Sequence, residues 1–118
     1  MEPIEYDIEF PRGDTCPVSF SLNDSNGEPL EPTAQTEIYF TLKKNANTTT
    51  ALLQKKLSTG DITITNGLCS FTLEHTDTAS MNYGKYFYDI ELKEGTYVKT
   101  LIIGNITLTN EATFITNE

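Results

Sequence analysis

The chain has 118 residues, which is the length of one domain with a single hydrophobic core. Its formal net charge of −9 disfavours binding to nucleic acids and to anionic membrane surfaces, because like charges repel. No apolar run is long enough to span a membrane, and the first residues lack the basic and apolar regions of a signal peptide. We therefore expect synthesis in a reducing cytoplasm. Cys16 and Cys69 are then expected to be free thiols, with a disulfide between them as the alternative.

Alternation of apolar and polar residues with a period of two runs through most of the chain and predicts β-strands. Turn signals separate the alternating runs, and the strongest of them is Asn66-Gly67, which predicts a hairpin; Glu94-Gly95 is a second. The only stretch that predicts a helical turn is residues 76–81, which contain capping residues and one apolar turn. The predicted strands lie within residues 4–10, 18–23, 37–43, 62–65, 68–73, 86–93, 97–103 and 106–108.

This series of about eight short strands with regular turns favours a sandwich over a barrel. We predict an all-β, immunoglobulin-like antiparallel β-sandwich with one short helical turn, formed by residues 1–110 and followed by a C-terminal tail, residues 111–118. Such sandwiches often place a tyrosine where a strand begins after a short helix, with its hydroxyl bonded to the upstream backbone. Tyr86, preceded by Gly84, is the candidate, and together they form the predicted structural corner. Tyr88 and neighbouring aliphatic residues are expected to fill the centre of the core.

A search for reactive groups predicts no catalytic residue, no metal site and no cofactor. His75 is the only histidine, and no cysteine or aspartate stands beside it at the spacing of metal ligands. No serine lies in the sequence context of a nucleophile elbow. Residues 23–28 lack the alternating acidic residues and the distal glutamate of a calcium loop. The tripeptide Arg12-Gly13-Asp14 is interpreted as a bend after a strand rather than as an adhesion motif.

Several segments of the chain resemble a known family. They are residues 10–15 (FPRGDT), 19–22 (SFSL), 27–30 (GEPL), 37–44 (EIYFTLKK), 53–56 (LQKK), 77–92 (DTASMNYGKYFYDIEL), 98–102 (VKTLI) and 111–114 (EATF). Through residue 102 these segments resemble the immunoglobulin-like domain at the start of bacteriophage baseplate upper proteins, which continue into further domains. The whole chain also resembles short phage and prophage open reading frames that end in a segment like residues 111–114. The resemblance implies a non-enzymatic structural protein of a phage or prophage virion, from its tail, baseplate or head–tail region. It implies production in the bacterial host cytoplasm and incorporation into the virion.

Within such a particle the chain is expected to act as an assembly or docking module, whose partners are other virion proteins or further copies of itself. Either residues 4–10 or the final strand is expected to offer a free sheet edge to a partner, whereas Pro29 and Pro32 mark a protected edge. The alternative is a carbohydrate- or ligand-binding module on a virion or cell surface. It is suggested by Tyr39, Phe87 and Tyr97, which fall on the face opposite the core set.

Overall fold

The computed structural model describes residues 3–24 and 26–109, and the predicted tail, residues 111–118, lies outside them. Within the described residues the chain forms nine strands and one helical turn. In chain order these are β1 (Ile4–Glu5), β2 (Ile8–Pro11), β3 (Cys16–Ser21), β4 (Thr36–Lys43), β5 (Leu53–Lys56), β6 (Thr63–Thr65), β7 (Leu68–Leu73), α1 (His75–Thr78), β8 (Gly84–Glu94) and β9 (Tyr97–Thr109).

The strands form two sheets that pack face to face. One sheet has the order β1–β9–β8–β4–β5, with β2 also paired to β9, and the other has the order β3–β7–β6. Two packed sheets with one short helical turn make an all-β sandwich, so the predicted fold class is confirmed. One edge differs from the antiparallel rule, because β1 and β2 run parallel to β9.

Alternating residues of both sheets meet in one core, as the period-two pattern predicts. Tyr88 is completely buried at its centre, and Phe40 lies between it and the opposite sheet. The Phe40 ring is 4.7 Å from that of Phe71 and 5.7 Å from that of Tyr88, measured between centroids. Aromatic pairs at this separation add to the free energy gained from burial alone.

The two hairpin signals form the turns that the sequence predicts. Asn66 and Gly67 both have positive φ, 51° and 79°, and connect Thr65 directly to Leu68 across the ladder. The turn then packs closely on the neighbouring loop, since a Cβ added at Gly67 would lie 2.7 Å from the carbonyl oxygen of Leu22. Asparagine and glycine are the residues that adopt this left-handed conformation most readily.

The N-terminal run was predicted as one alternating strand with Ile4 and Tyr6 facing the core, and this prediction is wrong. The ladder stops between β1 and β2, and the side chains of Ile4 and Tyr6 are 63% and 53% exposed. At the break the backbone of Tyr6 approaches β9 at Gly104. The Tyr6 amide donates to the carbonyl of Ile103 at 2.9 Å, and its own carbonyl accepts the Tyr88 hydroxyl at 2.5 Å.

Gly104 allows this close approach because it has no side chain. A Cβ built on Gly104 would lie 1.9 Å from the carbonyl oxygen of Tyr6, a distance at which the two atoms overlap. At the same break, the Asn105 amide donates to the Asp7 carboxylate at 2.9 Å. The interruption of the strand therefore leaves its neighbouring backbone groups hydrogen-bonded.

We expect Gly104→Ala to lower the free energy of unfolding by about 3 kcal/mol or more, because the new methyl group collides with backbone that cannot rotate away. Urea denaturation followed by tyrosine fluorescence measures the change. Gly27→Ala is the matched control: its φ of 81° strains alanine, but no atom lies within 4 Å of the added Cβ. That strain alone costs about 1–2 kcal/mol. Equal losses in the two variants would contradict the close contact at Gly104.

Tyr88→Phe removes the hydroxyl that reaches the Tyr6 carbonyl while keeping the buried ring. The expected loss is about 1–2 kcal/mol of unfolding free energy, because a carbonyl in the interior loses its donor. Tyr97→Phe is the control, since the Tyr97 side chain is 54% exposed and its hydroxyl has no hydrogen-bond partner among the described residues. It should change stability by less than about 0.5 kcal/mol. A neutral Tyr88→Phe would mean that the hydrogen bond does not hold the N-terminal strand.

Candidate functional site

The predicted corner lies where the connection after α1 enters β8. Gly84 is the first residue of β8 and has a φ of 132°, and Tyr86 is buried two residues later. The Tyr86 hydroxyl donates to the carbonyl of Asn82 at 2.8 Å, so the bond runs to backbone just upstream. The Lys44 ammonium group lies 5.1 Å from the centre of the Tyr86 ring on the other side. The corner fixes the path of the chain and exposes no reactive group.

The Arg12-Gly13-Asp14 tripeptide contacts the same connection between β7 and β8. The Arg12 guanidinium donates to the carbonyl of Met81 at 3.1 Å and lies 4.3 Å from the centre of the Tyr83 ring. The amide of Gly13, which has a φ of 83°, donates to the Thr78 hydroxyl at 2.9 Å. These contacts join the turn after β2 to the residues around α1, which is a structural use of the motif.

The helical turn α1 connects the two sheets through an ion pair. The Lys55 ammonium group of β5 is 3.0 Å from the carboxylate of Asp77, and both side chains are largely buried. The same carboxylate accepts the amide of Glu74 at 2.7 Å and completes a capping box at the start of the turn. His75 lies in this turn and is exposed.

The remaining candidate ligands are far apart or already bonded to backbone. Cys16 and Cys69 are both free thiols. Cys69 pairs across the sheet with Phe20, and Phe20 lies four residues along β3 from Cys16. The two cysteines are therefore about 13 Å apart, which is too far for a disulfide. Burial raises the pKa of the Cys69 thiol to about 11, which keeps it protonated. The Asp24 carboxylate accepts the amides of Asn26 and Glu28 in a tight turn. Among residues 3–24 and 26–109, no three His, Cys, Asp or Glu side chains cluster closely enough to hold a metal ion.

A shallow concavity lies on the outer face of the larger sheet. Its volume is about 350 Å³, and its walls include Tyr39, Gln54, Asp89, Glu91 and Val98. Burial raises the pKa of Asp89, and the nearby Glu91 carboxylate raises it further, while Lys43 partly opposes them.

Two of the three aromatic residues predicted for this face are covered by lysines of the same chain. The Lys56 ammonium group lies 5.8 Å from the centre of the Tyr39 ring, and that of Lys43 lies 6.0 Å from the centre of the Phe87 ring. Tyr39 and Phe87 are half-buried, whereas Tyr97 is exposed. The structure therefore does not bring the three rings together as one open aromatic surface.

Of the two edges predicted, residues 4–10 form the outermost strands, β1 and β2, on one side of the larger sheet, and they cover part of the final strand. β1 and β2 cover β9 along two stretches, Ile102–Ile103 and Ile106–Thr109. On that side, no strand of the described chain pairs with residues 97–101. The side chains of Tyr97 and Val98, at the start of this free segment, are 54% and 52% exposed. We call residues 97–101 the free β9 edge; the pairing register that creates it has no signal in the local sequence.

No protein-family model matches the sequence, and no curated protein matches it. In the described part of the chain, no helix has the length and apolar character needed to cross a membrane. The class that the structure itself defines is a β-sandwich of two packed sheets.

We expect Asp89→Asn to stabilise the protein at pH 7, by on the order of 0.5 kcal/mol. The folded state raises the pKa of Asp89 above its unfolded value of about 3.9. At a pH between the folded and unfolded pKa values, the folded state therefore binds more protons than the unfolded state. The free energy of unfolding consequently falls as the pH rises through this range. The asparagine has no charge to bury. Denaturation at pH 7 and pH 3 measures the effect, and the difference between variant and parent should shrink at pH 3, where Asp89 is protonated in both states. A larger gain at pH 3 would contradict this assignment.

Proposed function

We propose that the chain is a non-enzymatic structural protein of a phage or prophage virion, in which it acts as an assembly module. The observation that carries the proposal is the free β9 edge. A sheet edge offers unpaired backbone amides and carbonyls, and proteins usually protect such edges with charges, prolines or a covering segment. Here Tyr97 and Val98 are both exposed, and Lys99 is the one charged residue between positions 97 and 101.

A partner strand added at this edge would supply the missing hydrogen bonds and cover the apolar side chains. Main-chain hydrogen bonds give such a complex its affinity, and alternating side chains give it specificity. The net charge of −9 favours a protein partner over nucleic acid. The virion as the site of this assembly rests on the resemblance of residues 10–15, 37–44 and 77–92 to baseplate upper proteins.

A ligand-binding function is the second candidate, and the concavity beside Tyr39 is the observation that favours it. Sugar-binding sites combine an accessible aromatic ring with polar side chains, and Gln54, Asp89 and Glu91 are such side chains. However, Lys56 lies over the ring of Tyr39 and would have to move before a sugar could stack there. The free β9 edge needs no such rearrangement, so assembly is the better supported function.

The proposal is tested on particles produced by the phage or prophage whose genome encodes the chain. We expect the chain to sediment with particles in a density gradient, at a constant ratio to the major capsid protein across the particle fractions and after a high-salt wash. Quantitative mass spectrometry measures the ratio, with an abundant host protein as the contamination control. Recovery of the chain only in particle-free fractions would contradict a virion role.

Two variants separate assembly from ligand binding. Tyr97→Asp places a charge on the free β9 edge outside the walls of the concavity and should reduce incorporation into particles, whereas Tyr39→Ala should leave incorporation unchanged. Sugar binding on a glycan array, lost in Tyr39→Ala and kept in Tyr97→Asp, would instead support the second candidate.

A further inference from the structure

We propose that the free β9 edge binds residues 110–118 of a second copy of this chain as an added strand, so that copies join head to tail. The inference deepens the proposed function and rests on it, because it names the partner of the same edge. Three observations support the inference: the position of the free β9 edge, the position of Thr109 at the other end of β9, and the residues that the edge and the segment contain.

The free β9 edge lies at one end of β9, and Thr109, the residue before the segment 110–118, lies at the other end. β9 runs for 13 residues from Tyr97 to Thr109, which is about 40 Å at 3.3 Å per residue. The molecule itself is 48 Å in its longest dimension. At Thr109 the strand is still paired, with Pro11 on one side, and its carbonyl accepts the amide of Arg12 at 3.1 Å. Thr109 therefore lies at the end of the sandwich that is far from the edge.

This separation keeps the apolar part of the segment away from the edge of its own molecule. Lys99, at the middle of the edge, lies about 33 Å along the strand from Thr109. Phe114 is five residues beyond Thr109, and five extended residues reach about 17 Å. The apolar part of the segment thus cannot reach the edge of the same molecule. It can reach the edge of a second molecule placed end to end with the first.

The composition of the segment suits an added strand. Residues 112–116 are Ala, Thr, Phe, Ile and Thr, and four of the five are β-branched or aromatic, the types most favoured in strands. The segment also carries Glu111 and Glu118, while the edge carries Lys99. The segment and the edge thus carry opposite charges, which complement each other in the contact.

A symmetric dimer of two β9 edges is the competing arrangement. Pairing the edges around a two-fold axis would bring the two Lys99 ammonium groups close together, and like charges directly opposite on a sheet are destabilising. It would also leave residues 110–118 of both copies without a role in the contact. A head-to-tail contact joins two different surfaces, so its products grow beyond a dimer or close into a ring.

The experiment measures the mass of the full chain by sedimentation over a range of concentrations. We expect the parent chain to form species larger than dimers as concentration rises. Val98→Asp, on the edge, and Phe114→Asp, on the segment, should each weaken association about tenfold or more. Leu68→Asp is the matched control: Leu68 is 47% exposed, lies away from β9, and carries the same charge change. It should associate like the parent.

Mixing the two variants gives the decisive measurement. The Phe114→Asp chain keeps an intact edge and the Val98→Asp chain keeps an intact segment, so an equal mixture should form heterodimers that grow no further. Circular dichroism and thermal melting of each variant confirm that it is folded. A mixture that stays monomeric would overturn the inference, as would dimers that neither variant weakens. Incorporation into particles by a parent chain that does not self-associate would overturn this inference alone and leave the proposed function standing.

Discussion

The hydrogen bond from the Tyr88 hydroxyl to the Tyr6 carbonyl is the interaction on which the arrangement of the sheet edge depends. Tyr88 fills the centre of the core, and burial raises the pKa of its hydroxyl well above the usual range, so it remains a donor. A buried hydroxyl without a partner would be costly. The partner is a backbone carbonyl that reaches it only because Gly104 leaves room. One core side chain thereby fixes the N-terminal strand against β9.

That anchor determines which part of β9 is covered. With Tyr6 held beside Gly104, the pairing of β1 among the described residues is Ile4 opposite Ile102 and Glu5 opposite Ile103. A β-bulge follows at once, because the register between β8 and β9 shifts between Ile90 and Glu91 and leaves Leu101 unopposed. Bulges increase the local twist of a strand and re-aim its side chains. The free β9 edge therefore begins where both the covering strand and the regular ladder end, so its position follows from interactions in the core.

The sequence predicts elements well where the deciding signal is local. Alternation of apolar and polar residues correctly predicted the strands around Ile38, Phe71 and Tyr88, and Asn66-Gly67 correctly predicted its hairpin. Both signals are local, because the side-chain period and the turn chemistry depend on only a few neighbouring residues. β5, Leu53–Lys56, was not predicted, since its two lysines resemble a loop and only pairing with β4 makes it a strand. The final strand was predicted as two segments, residues 97–103 and 106–108, but it continues through Gly104.

The break at Tyr6 escaped prediction for a related reason. Its cause is a contact between residues far apart in the chain, Tyr6 with Tyr88 and Gly104, and alternation carries no information about such contacts. One signal was nevertheless present: a glycine inside a strand often marks a close approach of another backbone. Gly104 between two strongly apolar segments pointed to a neighbour at that position, although not to which segment supplies it. Of the candidate site, the sequence indicated a free edge near the chain ends but not its position on β9.

Several polar side chains of the sandwich are used within the molecule. Arg12 holds the connection after α1, Asp77 binds Lys55 and a backbone amide, and Asp7 accepts an amide at the strand break. A side chain committed to its own backbone has little left to offer a partner. The proposed assembly function therefore relies on backbone hydrogen bonds and on apolar side chains at an edge. Strand addition is the mode of binding that uses backbone hydrogen bonds and apolar edge side chains together. Its specificity comes from the register between the two strands, because a shift of one residue exchanges every buried side chain for an exposed one.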